Sequence, residues 1–327
     1  MKIALLGTNF GQAHVAVYAA RTDMEVVMFG RDPQKTAHAA GQFGLASSTD
    51  MDAAFTDPSF DLVDICLPVP LHASYVLRAL EAGKHALVEL PLADDIEDAK
   101  RVTAAAARSD KHVFVDMFER FIPANQALFD AASEGTYGRL KQLTLWNMTA
   151  PLWPGASLGL KALPLEAMHS DMDIITRALG VPQDVTVTSV ARDKDSAAIE
   201  AIFGFDGATA RSSISSLMPK AWGARGGYTA TFEHGILDAT STMGFDGKPS
   251  GTVTAYTAYT AYTADGPHEL DLPSADQYTD MIEHVMAVLR GQAENQISPD
   301  SVLQALQLTL DIDQRVNRNR TTGQRPR

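Results

Sequence analysis

The chain has 327 residues, enough for two domains that each bury a full core. Its apolar fraction of 45% is that of an ordinary globular protein, no apolar stretch reaches the length of a membrane span, and a single cysteine, Cys66, excludes a disulfide framework. The net charge of −13 argues against nucleic acid or an anionic membrane as a partner held by a general basic field.

The first part alternates strand and helix patterns. Strands are predicted over Lys2–Leu6, Glu25–Phe29, Leu62–Leu67, Ala86–Glu89 and His112–Met117. Helices are predicted between them, over Gly11–Ala20, Gln34–Phe43, Ala73–Ala82 and Ile96–Arg108. These strands are almost wholly apolar, as expected when helices cover both faces of a parallel sheet. The first strand begins directly after Met1, which leaves no room for a signal peptide, so a cytoplasmic location is expected.

The pattern changes near residue 120. Helices are predicted over Asn125–Ala132 and Glu166–Leu179, the second closed by Gly180. Strand-like runs cover Leu140–Met148, Asp184–Ala191, Ala198–Phe205, Thr209–Leu217, Tyr228–Glu233, Gly235–Thr240 and Thr252–Ala264, and helical patterns at Tyr278–Leu289 and Pro299–Arg318 close the chain. The fold class read from this order is α/β. An N-terminal Rossmann-type parallel sheet (1–119) precedes a C-terminal α+β domain (120–327) with a mostly antiparallel open sheet. The threefold repeat Thr-Ala-Tyr beginning at Thr254 is read as an edge strand or hairpin, with an aromatic binding surface as the alternative.

Certain turns carry chemistry. Gly7-Thr8-Asn9-Phe10-Gly11 joins the first strand to the first helix, where free N–H groups and the positive helix end suit a dinucleotide's pyrophosphate. The spacing is one residue shorter than G-x-G-x-x-G, and Asn9 stands in for the middle glycine. The second strand ends in Gly30-Arg31-Asp32-Pro33, the third leads through Leu67-Pro68 to His72, and the fourth ends in Glu89-Leu90-Pro91. Together these segments resemble the Gfo/Idh/MocA family of nicotinamide-dependent oxidoreductases, over nearly the whole chain.

The resemblance implies a nicotinamide cofactor held by Gly7, Thr8, Asn9, Phe10, Gly11, Gly30, Arg31, Leu67, Pro68, His72, Glu89 and Pro91, with no metal. Gly30 stands where an NAD-preferring member carries an acid, and Arg31 follows it, so NADP is expected, with NAD as the alternative should Asp32 turn inward instead of capping its helix. His72 is either a cofactor neighbour or only a first-turn helix residue. The family usually has Glu-Lys-Pro where this chain has Glu89-Leu90-Pro91, and that lysine sits beside the nicotinamide and the reacting hydroxyl. Leu90 cannot donate a hydrogen bond or carry charge.

The family's reaction helix carries an acid, a histidine and an aspartate, which points to Glu166, His169, Ser170 and Asp173 as the catalytic set. Anchored on Asp173, Ser170 takes the histidine place and His169 falls one residue early. One residue is a helix rotation of about 100°, so His169 needs a bulge or register shift to serve. Regular helix would place Glu166, Ser170 and Asp173 on one face, with His169 and Asp173 able to interact. The resemblance implies hydride transfer at a hydroxyl or carbonyl carbon of a small-molecule substrate: a sugar, inositol or related cyclic polyol. An imine or enone reductase and a non-catalytic dinucleotide- or sugar-binding paralogue are the alternatives that Leu90 and Ser170 leave open. A homodimer or homotetramer through the C-terminal sheet is expected.

Overall fold

The computed structural model describes residues 1–8, 11–150, 157–245, 253–270, 272 and 276–323. It divides into two compact units, 1–121 with 275–303 and 122–274 with 304–327.

The first unit contains β1 (Lys2–Leu6), α1 (Gln12–Ala19), β2 (Glu25–Phe29), α2 (Pro33–Gly41), β3 (Ala46–Ser48), α3 (Ala53–Thr56), β4 (Leu62–Ile65), α4 (His72–Glu81), β5 (His85–Val88), α5 (Ile96–Ala107) and β6 (Val113–Val115). The six strands pair in parallel in the order β3-β2-β1-β4-β5-β6. The order reverses between β1 and β4, which puts the topological switch point, and hence the ligand crevice of such sheets, at the carboxyl ends of those strands. Nearly every strand side chain is buried, Ile3, Leu5, Leu6, Leu62, Ile65 and Leu87 completely. That double-sided burial is why the strands read as unbroken apolar runs. The short β3 and α3 were not anticipated, because Ala46-Ser47-Ser48 carries neither β-branching nor alternation.

The second unit contains α6 (Pro123–Glu134), β7 (Leu140–Thr149), α7 (His169–Leu179), β8 (Asp184–Ala191), β9 (Ala197–Phe205), β10 (Ala208–Ser215), β11 (Ala224–Phe232), β12 (Ile236–Phe245), β13 (Val253–Thr263) and β14 (Gly266–Glu269). Its eight strands are ordered β14-β13-β12-β11-β7-β10-β9-β8 and are antiparallel except where β10 runs parallel to β7. The repeat strand β13 is not a free edge along its whole length. Thr260–Thr263 pair with β14, which the sequence pattern had missed.

The helix α8 (Gln277–Leu289) and the segment after it return to the first unit, so a single cut at residue 119 does not describe its extent. Val115 N–H donates to Ile297 O at 2.8 Å, and Asn295 Nδ2 to Val113 O at 2.8 Å, which satisfies the outer edge of β6. Arg120 donates to Gln296 O, to Ser301 Oγ at 2.9 Å and to Ser301 O at 3.0 Å. The helix α9 (Pro299–Gly323) is divided between the units at Leu303 and Gln304.

Candidate functional site

In the first unit the turn after β1 is shaped by close approach. Gly7 has φ of 120°, and a Cβ there would lie 2.1 Å from Cys66 O. A Cβ on Gly11 would meet Leu5 Cδ2 at 2.9 Å and Cys66 Sγ at 3.3 Å. Only glycine lets this turn sit against β4. Gly11 is the N-cap of α1, no side chain caps the helix, and its first turn holds no acid. The first N–H groups of α1 therefore remain available, with the positive end of the helix dipole behind them. This arrangement fits a dinucleotide pyrophosphate, with Gly7, Thr8 and Gly11 lining its place. Asn9 and Phe10 lie outside the described residues.

At the end of β2, a Cβ on Gly30 would come within 2.3 Å of Thr36 Oγ1. Thr36 Oγ1 donates to Asp32 O at 2.7 Å, so a side chain at position 30 would have to displace that hydroxyl and break its bond. Asp32 is committed elsewhere: its Oδ1 accepts from Gln34 N–H and Lys35 N–H, each at 3.0 Å, as the N-cap of α2. Arg31 is exposed and makes no ion pair with a described residue.

Leu67-Pro68 and the cis Leu90–Pro91 turn are tied together by His72. Its ring is 1% exposed, with Nδ1 2.8 Å from Pro91 O and Nε2 2.6 Å from Leu67 O. Burial holds its pKa below the ordinary histidine value. The neutral ring has one N–H and donates to one of these carbonyls, while its other nitrogen packs against the second, so His72 sits between the two turns.

Beneath the turn lies a polar cluster that the sequence reading overlooked. His14, one turn into α1, is fully buried. Its Nδ1 is 2.9 Å from Asp64 Oδ2 and its Nε2 2.9 Å from Asp116 Oδ2. Asp64 Oδ2 also accepts from Tyr18 O–H at 2.8 Å, and Cys66 Sγ lies 3.4 Å from Asp64 Oδ1. Burial works to lower the His14 pKa, but Asp64, Cys66 and Asp116 outweigh it and raise it well above the usual value. Glu89, at the carboxyl end of β5, has its carboxyl pushed up to about 8, first by burial and then by Asp116. The Tyr278 ring of α8 lies 5.9 Å from His14 and stacks on Phe118 at 4.7 Å. The available signal was Asp64 itself, a charge inside the run Leu62-Val63-Asp64-Ile65.

In the second unit, Pro164–Met168 forms a π-helical turn, and regular helix begins only at His169. A π turn holds an extra residue, so side chains before and after it fall out of α register. Glu166 therefore falls out of register with Ser170 and Asp173, which share the regular helix: Glu166 is exposed, Ser170 half-buried and Asp173 buried. Partial burial raises the Glu166 pKa. The π turn ends before His169, so His169 stays one residue early relative to Asp173, and its ring is 0% exposed, with Nδ1 2.9 Å from Thr309 Oγ1. The Thr309 hydroxyl donates to Ala305 O at 2.8 Å, so Nδ1 of His169 carries the proton of that contact. The neighbour Asp171, also overlooked, is buried and accepts from Ser212 Oγ at 2.6 Å and Asn147 Nδ2 at 2.9 Å. Burial lifts its pKa to about 6 against those two bonds.

Comparison with known proteins agrees with this geometry. Residues 1–117 match the Gfo/Idh/MocA family model, described as an oxidoreductase family with an NAD-binding Rossmann fold. All six strands of the first unit's sheet lie within the matched residues. The chain is 31% identical over 138 residues to a 4-carboxy-2-hydroxymuconate-6-semialdehyde dehydrogenase of Sphingobium sp., covering 41% of this chain and 44% of that one. It is 33% identical over 153 residues to levoglucosan dehydrogenase of Pseudarthrobacter phenanthrenivorans, covering 43% and 39%. The matched regions thus span less than half of these curated relatives. The fold is shared much further: a UDP-N-acetylglucosamine 3-dehydrogenase of Acidithiobacillus ferrooxidans superposes with a TM-score of 0.79 at 19% identity, over 95% of this chain and 96% of that one. Among the described residues no helix is long and apolar enough to cross a membrane.

Proposed function

We propose that this protein is an NADP-dependent oxidoreductase that transfers hydride between the nicotinamide and a hydroxyl or carbonyl carbon of a sugar, inositol or related cyclic polyol. The observation that carries the reading is the uncapped N-terminus of α1, reached through the glycine turn at the switch point of a parallel sheet. When bound, the nicotinamide supplies the hydride chemistry; the protein supplies orientation and a route for the proton.

NADP over NAD is supported at the end of β2. With Thr36 filling the space beside Gly30 and Asp32 engaged as a cap, no described carboxylate of this turn faces a 2′-phosphate, and exposed Arg31 is placed to meet one. The carbohydrate class is supported by the levoglucosan dehydrogenase relative. Assembly as a homodimer or homotetramer through the eight-stranded sheet is part of the same reading.

A second reading is favoured by one observation. His169 is sealed and Leu90 carries no proton, so a dinucleotide-binding paralogue without turnover is the competitor. Fluorescence titration of nucleotide-free protein with NADPH and NADH, followed by hydride exchange with polyols, ketones and imines, separates the two. Tighter binding of NADPH with turnover supports the oxidoreductase. Tight binding with no turnover on any of the three classes selects the paralogue, and failure of both nucleotides to bind defeats both readings.

A further inference from the structure

The buried cluster of the first unit has a proton count that its geometry constrains. His14 has a carboxylate oxygen 2.9 Å from each ring nitrogen. A neutral imidazole has one N–H and would turn a lone pair on one of the two carboxylates, so His14 is an imidazolium with Asp64 and Asp116 as its counter-ions. Asp116 Oδ1 is buried and accepts no hydrogen bond from a described residue, while a carboxyl oxygen of Glu89, an oxygen of Asp116 and a ring nitrogen of His14 lie within 4.8 Å of one another. Two ionised carboxylates in that position would repel each other in a site shut off from water. A proton on Glu89 removes the repulsion and gives Asp116 Oδ1 its donor. His14, Asp64 and Asp116 are buried, whereas Glu89 is partly exposed at the carboxyl end of β5, one strand from the switch point.

Resting on the oxidoreductase reading, we propose that Glu89, paired with Asp116 and backed by the His14–Asp64 couple, is the group that exchanges the proton with the substrate oxygen. For reduction of a carbonyl, the carbon gains the hydride that a reduced nicotinamide supplies and the oxygen gains the Glu89 proton. The O–H bond of Glu89 breaks as that of the product forms, and the carboxylate left behind is reprotonated from water. Oxidation of an alcohol runs the same exchange backwards. The His14 imidazolium limits the cost of the transient charge by holding Asp116 and Asp64 in place. The titratable groups that face Glu89 are Asp116 after β6, His14 on α1 and Asp64 on β4, with Cys66 of β4's end and Tyr278 of α8 also within its field.

An infrared pH titration of the nucleotide-free protein tests this without turnover. The expected result is a protonated-carboxyl band at pH 7 that fades as pH rises through about 8, is missing in Glu89→Gln, and titrates at lower pH in Asp116→Asn. In NADPH-dependent reduction at saturating nucleotide, Glu89→Gln should lower kcat about 10²–10⁴-fold, and Glu89→Asp should recover part of it. A band absent at pH 7, or one that persists in Glu89→Gln, overturns the proposal. So does undiminished hydride transfer in Glu89→Gln, or stoichiometric binding of Mn²⁺ or Zn²⁺ that His14→Ala abolishes. A wild-type protein that shows the band but turns over no substrate class defeats the oxidoreductase reading, and the catalytic role with it, while leaving the Glu89–Asp116 proton in place.

Discussion

At the scale of single residues, the site is governed by what cannot be fitted. Gly7 has no room for a Cβ and a backbone angle that side chains avoid. Gly7→Ala should cost at least ~1–3 kcal/mol of stability and abolish nucleotide binding, read as a lowered urea midpoint and a flat fluorescence titration. Unchanged NADPH affinity in a folded Gly7→Ala would remove the turn from the site. Arg31 tests the opposite feature, a group with room and no described ion-pair partner. Losing a charge-assisted bond to a 2′-phosphate typically costs 1.5–3 kcal/mol, so Arg31→Ala should weaken NADPH about tenfold or more and leave NADH alone. Equal weakening of both nucleotides would sink the preference argument. The glycine turn and the Asp32 cap were legible because each is written in contiguous residues. His14, Asp64 and Asp116 were not, because their partnership spans separations of 50 and 102 residues.

At the scale of elements, periodicity read the strands of both sheets except the short β3 and β14, and missed α3 and the π turn before α7. A uniform pattern over 166–179 hides the π turn at Pro164–Met168, since an inserted residue changes facing without changing composition. That is why Glu166 was placed in register with Ser170 and Asp173 and is not. The return of 275–303 to the first unit was also unreadable, because Arg120 reaches the carbonyls of Gln296 and Ser301 across separations of 176 and 181 residues. Arg120→Met keeps the apolar stem and removes the donors, leaving the Gln296 and Ser301 carbonyls short of partners. It should destabilise the protein by about 2–3 kcal/mol and raise hydrogen exchange at 295–303 ahead of the parallel sheet. If exchange rises uniformly through the first unit, the guanidinium is not a local latch.

At the scale of the whole molecule, the buried carboxyls Asp171 and Glu89 and the imidazole of His14 lean the same way in pH. Asp171 and Glu89 are carboxyls whose folded pKa values, about 6 and about 8, lie above their unfolded ones. Between the unfolded and folded values the native state keeps a proton that the unfolded chain has released, so stability falls as pH rises across that window. His14 has a raised pKa as well, so its contribution is complete below its unfolded value near 6.5 and is lost as pH climbs through the folded one. A chain with a net charge of −13 at pH 7 adds self-repulsion of the same sign. Opposing these are His72 and His85, which burial holds below the ordinary histidine value, His85 at about 4, so that their contribution rises as pH climbs toward about 6.5. The exposed Glu233, lowered to about 2 by bonds from Arg139 and Lys141, and Asp57 and Asp193, lowered chiefly by hydrogen bonds from neighbouring residues, favour the fold above the acid range. Stability should therefore peak near about pH 6 to 6.5 and decline toward pH 9. The Asp171 contribution, lost between its usual value near 3.8 and about 6, corresponds to roughly 2–3 kcal/mol. Asp171→Asn keeps an acceptor for Ser212 and should flatten the slope between pH 4 and 6, while Glu89→Gln should flatten it between pH 5 and 8. Urea denaturation across pH 4.5–9 reads both, and a wild-type profile that rises through neutrality would mean that these carboxyls are ionised in the folded protein and paired in some other way.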